Sequence, residues 1–574
     1  MQFDQILSKS PQFTQIESNL KPKSRQLVTG IGGSARTLLI DNLLKASGKP
    51  IVVIVDTLFH ADQLTGDLSN LLADDQVFEF PVEEMGAAEL ATSSPEYKAQ
   101  RVLALNQLIS GEPAVIVTSV SGLKRLLPAP EQFKSAKLTI DMDSDYDLEA
   151  LKLKLHQMGY AFQKLVAAPG DFSIRGSILD IFPLNNQDPV RIDFFDTEVD
   201  SMRTFDVGNQ RSIKNIDKID ILPATDLLID NDQRQKVAKQ LRGELTSEMA
   251  DLDDDAAKKL QNTIEPQIMD LENGLNDPKW LLFANQFYDQ SHSLLDYLTE
   301  DGVVIYDDYS RITDSERQLE SDDNVWLADK LKNHELLKTT NYTNDFKTIF
   351  KKNSKATLIL SLFQKGLGRM RLDAIVNITV RPMQQFFSQM PMLRTETGRW
   401  QKQKQTVIIM VASAQRLQKV AQTLADFEIN ATQTDRDHLL AHTVQLVAGN
   451  LDNGFELPSA NLVIVTEKEM FGTVVKKRPR QTTFNNAERI KSYTDLKPGD
   501  YVVHVNHGIG RYEGMKTMEV DGKHQDYLTI SYRDSAKLFI PVTQLNLIQK
   551  YVSSEDKKPR INKLGGGEWQ KTKR

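Results

Sequence analysis

The sequence predicts a multidomain α/β protein, and three observations carry that prediction. Its 574 residues exceed what one hydrophobic core organises, because domains run about 100–200 residues each, so roughly three to five are expected. Short β-branched runs such as Ile51-Val52-Val53-Ile54-Val55 and Ala114-Val115-Ile116-Val117 alternate with helical stretches, the mark of parallel strands buried on both faces. Elsewhere this pattern gives way to period-two runs separated by turn residues, so β-rich units are set among the α/β ones.

Along the chain, residues 1–138 read as an α/β unit. Residues 139–225 change to runs such as Ser177-Ile178-Leu179-Asp180-Ile181-Phe182 and Val190-Arg191-Ile192-Asp193-Phe194-Phe195, a β-rich insert. The segment 226–375 opens polar and helix-prone, then Gly302-Val303-Val304-Ile305-Tyr306-Asp307-Asp308 reads as a buried strand ending in acids, a return to the first unit. Residues 376–472 form a further α/β unit, with strands at 406–411 and 461–466 and a helix opening near Ser413. The stretch 473–495, of mixed charge and containing Pro479, reads as a linker. In 496–555, strands at 501–505, 527–532 and 537–542 lie among Gly508, Gly510, Gly514 and Gly522, with Gly508 and Gly510 read as turn residues: a small SH3/Tudor-like β-barrel. Residues 556–574 read as the start of a connecting helix.

Composition excludes several functions. Hydrophobic residues are 40% and charged residues 26%, ordinary globular usage, so large-scale disorder is not expected. With no cysteine there is no disulfide, thiolate metal site or cysteine nucleophile, which fits a reducing compartment, and a cytoplasmic location is expected. No run of about 18 apolar residues and no signal-like start argue against membrane partners. A net charge of −8 makes the chain as a whole no match for DNA phosphates. The acidic run Asp251-Leu252-Asp253-Asp254-Asp255 and the basic run Lys476-Lys477-Arg478-Pro479-Arg480 read as solvated surface. His504 and His507 lack a third ligand, so no metal is expected, and no catalytic arrangement is discernible.

Gly30-Ile31-Gly32-Gly33-Ser34-Ala35-Arg36-Thr37 follows an apolar stretch and opens a helix, the setting of a phosphate-binding loop. The working pattern needs a glycine and a lysine where Ala35 and Arg36 stand. A methyl at Ala35 penalises positive φ, and the broad guanidinium of Arg36 does not replace a compact ammonium. The acid pair Asp307-Asp308 occupies the place of magnesium-holding carboxylates, with Asp308 one methylene short of the usual glutamate. These residues point to a degenerate P-loop domain with no nucleotide cofactor.

The residues then carry a family resemblance. Residues 1 to about 375 resemble the excision-repair protein UvrB in domain order. The segments Gly170-Asp171-Phe172-Ser173-Ile174-Arg175-Gly176, Ile178-Leu179-Asp180-Ile181-Phe182-Pro183 and Pro189-Val190-Arg191-Ile192-Asp193-Phe194-Phe195-Asp196 look like the UvrA-binding domain that UvrB shares with bacterial transcription-repair coupling factors. The resemblance implies UvrA as a partner. Arg175 and Arg191 are the interface candidates, as guanidinium forks suited to carboxylates, with Phe182 as an apolar anchor; the plainer alternative puts Phe182 in the core. Where the family often has arginine after Gly159-Tyr160, this chain has Ala161. The stretch Phe80-Pro81-Val82-Glu83-Glu84-Met85-Gly86-Ala87-Ala88 lacks the stacking rings of UvrB's DNA-gripping hairpin, which favours a coupling factor over UvrB itself.

The run Gly499-Asp500-Tyr501-Val502-Val503-His504-Val505-Asn506-His507-Gly508-Ile509-Gly510-Arg511-Tyr512, continuing through Asp526-Tyr527-Leu528 and Lys537-Leu538-Phe539-Ile540-Pro541-Val542, is similar to the RNA-polymerase-interacting domain of coupling factors and to CarD-type regulators. That resemblance implies strand addition to the polymerase β subunit through Lys516, Thr517, Met518 and Glu519. In the full-length family protein an ATP- and magnesium-dependent DNA translocase follows and makes most of the DNA contact. Its motifs do not occur here, so this chain, a monomer, is not expected to be an enzyme. The alternatives are an active UvrB-like repair ATPase and a stand-alone CarD-like transcription regulator.

Overall fold

The computed structural model describes residues 2–83, 95–207, 210–274, 278–288, 290–363, 370–472, 499–504, 508–520, 523–533, 536–541, 548–550 and 561. The 473–495 linker, positions 84–88 of the hairpin stretch and all of 556–574 except Ile561 fall outside them. The chain is multidomain and mixed α/β, with several sheets, and it divides into two compact units, Met1–Thr483 and Phe484–Arg574.

The first unit is organised by a seven-stranded parallel sheet. Its order is Ala374–Asn377, Arg25–Thr29, Ala356–Ser361, Val303–Asp307, Ile51–Val55, Val115–Ser119 and Val77–Phe80. Every side chain of Ile51–Val55 and of Ala356–Ser361 is buried, as unbroken apolar strands with helices on both faces must be. The strands Val303–Asp307 and Ala356–Ser361 lie at the centre of the sheet although they follow the insert in sequence.

The insert is a six-stranded sheet, ordered Ser212–Asn215, Glu198–Phe205, Val190–Phe195, Ile178–Ile181, Asp171–Arg175 and Ala161–Phe162. A two-stranded pair, Leu138–Asp141 with Lys218–Ile221, ties its beginning to its end. Just beyond, Asp226 is buried between Arg101 and Arg125. Two antiparallel helices, Asn231–Met249 and Asp254–Glu272, follow; Asp230 and Asp253 cap them, and Leu241, Leu245, Leu260, Ile264 and Ile268 pack between them.

A second six-stranded sheet has the order Arg381–Pro382, Phe455–Leu457, Leu462–Thr466, Thr406–Val411, Val444–Ala448 and Thr432–Thr434. The helix Gly33–Ser47, which carries the degenerate loop at its start, lies between the two large sheets. Its Leu38, Leu39, Ile40 and Leu43 belong to one continuous core with Ile408, Met410, Leu462 and Ile464.

The second unit is a five-stranded antiparallel sheet, ordered Lys537–Pro541, Lys523–Ser531, Gly508–Val520, Tyr501–His504 and Ile548–Lys550. Val502, Tyr512, Leu528, Ile530, Tyr532 and Ile540 form its core. Gly510 is a strand residue rather than the turn residue expected: a Cβ there would lie 2.5 Å from Ile530 Cγ2 and 3.1 Å from the Ser531 carbonyl oxygen.

Candidate partner-docking surfaces

At the carboxyl edge of the parallel sheet, the residues of the phosphate-type loop are turned to internal use. Gly30 has φ +80, and a Cβ on it would lie 2.2 Å from the Ile378 carbonyl oxygen, so backbone crowding alone requires glycine. Ala35 is buried. The Arg36 guanidinium pairs with the Asp307 carboxylate, so the acid in the magnesium position faces an arginine. Burial pushes the Asp307 carboxyl above its ordinary range, against the pull of Arg36. Asp308, at φ +62, caps the Tyr309–Lys332 helix by accepting from the Arg311 N–H at 3.4 Å. Thr37 is fully buried, and among the described residues its Oγ1 has no hydrogen-bond partner.

The insert presents a charged face built around Asp180, itself only 1% exposed. Arg191 grips this carboxylate at two points, Nε to Oδ1 at 2.7 Å and Nη2 to Oδ2 at 2.9 Å, and lies 4.5 Å over the Phe205 ring. The hydrogen bond to Asp180 raises the Arg191 pKa further. Arg175 reaches the same carboxylate with one Nη2 bond of 2.6 Å and stays half-exposed, leaving its other donors for an incoming acid. Asp193, two residues along from Arg191, pairs with Arg203.

Phe182 does not lie on this charged face. It is 1% exposed and packs with Val166 and Phe205, so the apolar anchor expected there is a core side chain. The exposed ring is Phe195, 77% accessible, which shares a strand face with Arg191 and Asp193. Strand alternation could have found it: Phe194 and Phe195 are adjacent on one strand, so one of them must point outward.

In the second unit, the Arg511–Val520 part of the strand Gly508–Val520 pairs with Lys523–Ser531, setting Lys516 opposite Tyr527, Thr517 opposite Asp526, Met518 opposite Gln525 and Glu519 opposite His524. Among the described residues its other side is covered only at the start, by Tyr501–His504 and by the Tyr512 N–H to Asp500 O and Gly499 N–H to Tyr512 O bonds of 2.8 and 2.7 Å. A register shift between Tyr512 and Gly514, with Gly514 at φ +136, then bends the strand away. Beyond it, among the described residues, no strand covers the second edge of 513–520. Lys516 is exposed, and the side chains of 517–519 lie outside the described set.

Comparison with known proteins gives these surfaces a context. Residues 138–227 match the UvrB interaction domain, 400–470 the MFD, D3 domain, and 496–552 the CarD-like/TRCF RID domain. The transcription-repair-coupling factor of Bacillus subtilis (strain 168) is 39% identical over 551 residues, 96% of this chain. Over nearly its whole length this chain is similar to transcription-repair-coupling factors. The coupling factor of Staphylococcus haemolyticus (strain JCSC1435) is 35% identical over 551 residues, and that of Staphylococcus aureus (strain bovine RF122 / ET3-1) 32% over 555. The chain spans about half the length, 47%, of these coupling factors.

Placed on the coupling-factor domains, Arg175, Arg191 and Phe195 fall within the UvrB interaction segment and residues 516–519 within the RID segment. The degenerate loop lies outside all three. Among the described residues no helix is long and apolar enough to cross a membrane, and no group of three or more His, Cys, Asp or Glu side chains could hold a metal ion.

Proposed function

We propose that this chain is the partner-binding part of a coupling factor, recruiting UvrA with its first unit and RNA polymerase with its second. The observation that carries this is the strand Gly508–Val520, whose outer edge, among the described residues, no strand covers over the stretch where polymerase contact is expected. Unpaired amides and carbonyls on such an edge form main-chain hydrogen bonds with an incoming strand, and side chains on alternate positions set specificity. The strand that docks is proposed to come from the polymerase β subunit, with Lys516, Thr517, Met518 and Glu519 at the contact, on a sheet that closes as an SH3-like barrel.

On the first unit, Arg175 and Arg191 form a cationic pair pre-set by Asp180, and Phe195 supplies an apolar contact beside them. Such a patch fits a partner that offers carboxylates around an apolar recess. That partner is proposed to be UvrA. The reaction of the whole family protein, an ATP-driven push on stalled polymerase along DNA, is assigned to a motor other than this chain; the Arg36–Asp307 pair supports a first domain without nucleotide, and no cofactor is proposed for it. We place the chain in the cytoplasm as a monomer.

The test is direct binding of the intact chain to purified UvrA and to the polymerase β subunit, with ATP titrated by calorimetry in parallel. Binding to both proteins and no heat with ATP is the expected result. Binding to polymerase alone would instead make the chain a stand-alone regulator, and micromolar ATP binding would make it a repair ATPase.

A further inference from the structure

The degenerate loop 30–37 is held by intramolecular partners, and the most distant of these comes from the 376–472 domain. The Ser34 Oγ, on a residue 2% exposed, accepts a hydrogen bond of 2.9 Å from the backbone N–H of Asn453. Ile31 and Ala35 lie in the same core cluster as Leu451 and Phe455, which flank that asparagine. Arg36 is held by Asp307.

The loop that carries Asn453 is fixed by its own domain. Gly454 donates its N–H to Glu469 Oε2 at 3.1 Å, and that buried carboxylate also accepts from Thr466 N at 2.9 Å and Thr466 Oγ1 at 2.6 Å. A Cβ on Gly454 would lie 2.5 Å from the Ile464 carbonyl oxygen. Lys468 Nζ donates to the Asn453 Oδ1 at 3.0 Å and to the Asp452 carbonyl at 3.3 Å. A polar loop held this firmly presents the Asn453 N–H to Ser34 as a rigid peg.

We infer that the remnant of the phosphate loop is the socket of this third α/β domain, with the loop around Asn453 seated at the start of the Gly33–Ser47 helix where a working domain would hold phosphate. The methyl of Ala35 then serves as an apolar contact, and Arg36 as a tie across the strand ends. Loss of nucleotide and fixation of the third domain are one change. The role of residues 376–472 is to brace the first domain. This inference stands apart from the assignment of UvrA and polymerase as partners.

Two experiments on the full chain test it. Ser34→Cys with Asn453→Cys, in a protein that otherwise has no cysteine, should form a disulfide quantitatively on mild oxidation. The hydrogen bond limits the two Cα atoms to at most about 6.8 Å apart, within disulfide reach. Ala35→Gly with Arg36→Lys restores the phosphate-loop pattern and should still show no binding of ATP–magnesium at millimolar concentration by calorimetry, while amide exchange over 449–454 stays within about twofold of wild type. Failure of the cross-link in the folded protein would overturn the inference. So would ATP binding by the restored loop with exchange over 449–454 unchanged, because the loop would then not occupy the cradle.

Discussion

Replacing Asp226 by asparagine tests how the insert is fixed to the first domain. Asp226 and Arg101 are each 2% exposed at the side chain, and Arg125 is 10% exposed. Arg101 grips the carboxylate through Nε at 3.0 Å and Nη2 at 3.1 Å and also donates to the Pro81 carbonyl at 3.0 Å, while the Arg125 Nε shares the Asp226 Oδ2 with the Arg101 Nε. Burial alone would push the Asp226 carboxyl up, but the two guanidiniums overcome it and hold it well below the usual carboxylate range. Removing one partner of a buried ion pair costs about 3–5 kcal/mol, and here two cations lose a shared anion. In a cooperative block of 150–250 residues each kcal/mol moves the melting point by about 2–4 °C, so a drop of about 6–20 °C is expected at pH 7. A carboxyl depressed in the folded state contributes stability above its unfolded pKa near 4 and loses it as pH falls through the lower folded value. The gap between wild type and Asp226→Asn should therefore shrink below about pH 4. Scanning calorimetry at pH 7 and pH 3 measures both; a gap under about 2 °C, or one independent of pH, would refute the reasoning.

Other expectations follow from the same contacts. Phe195→Ala should weaken UvrA binding by roughly tenfold or more with little change in melting temperature, whereas Phe182→Ala should cost about 3–5 kcal/mol of stability; isothermal titration and thermal unfolding separate the two. Arg36→Ala leaves Asp307 buried without its cation, and since burial already raises that carboxyl, the variant should be less stable relative to wild type at pH 8 than at pH 5 in urea titrations. Gly510→Ala should destabilise the second unit by about 1–3 kcal/mol, by forcing a methyl against Ile530, and leave unfolding of the first unit unchanged.

Runs such as Ile51–Val55 identified the buried parallel strands because burial on both faces writes itself as unbroken apolar sequence. The insert was legible from its alternation, and the phosphate-type loop from its glycines. Alternation does not by itself say which face is the core, so it does not separate Phe182, which packs on Phe205, from the exposed Phe195. Gly510 reads as a turn from composition, and only the neighbouring Ile530 shows it to be a close-packing site. The ties of Ser34 to Asn453, of Asp226 to Arg101 and of Arg36 to Asp307 span 419, 125 and 271 residues, and no local pattern reports such partners. The edge of 513–520, which no strand covers among the described residues, is likewise a property of sheet order, which strand propensity does not contain.

The most direct test of the two-surface account is a paired binding assay on three forms of the intact chain: wild type, Arg191→Glu and Met518→Arg, each titrated with UvrA and with the polymerase β subunit. Wild type should bind both, Arg191→Glu should lose UvrA and keep polymerase, and Met518→Arg should do the reverse. Loss of both partners in either variant, or a wild type that binds neither, would contradict two separate docking surfaces on this chain.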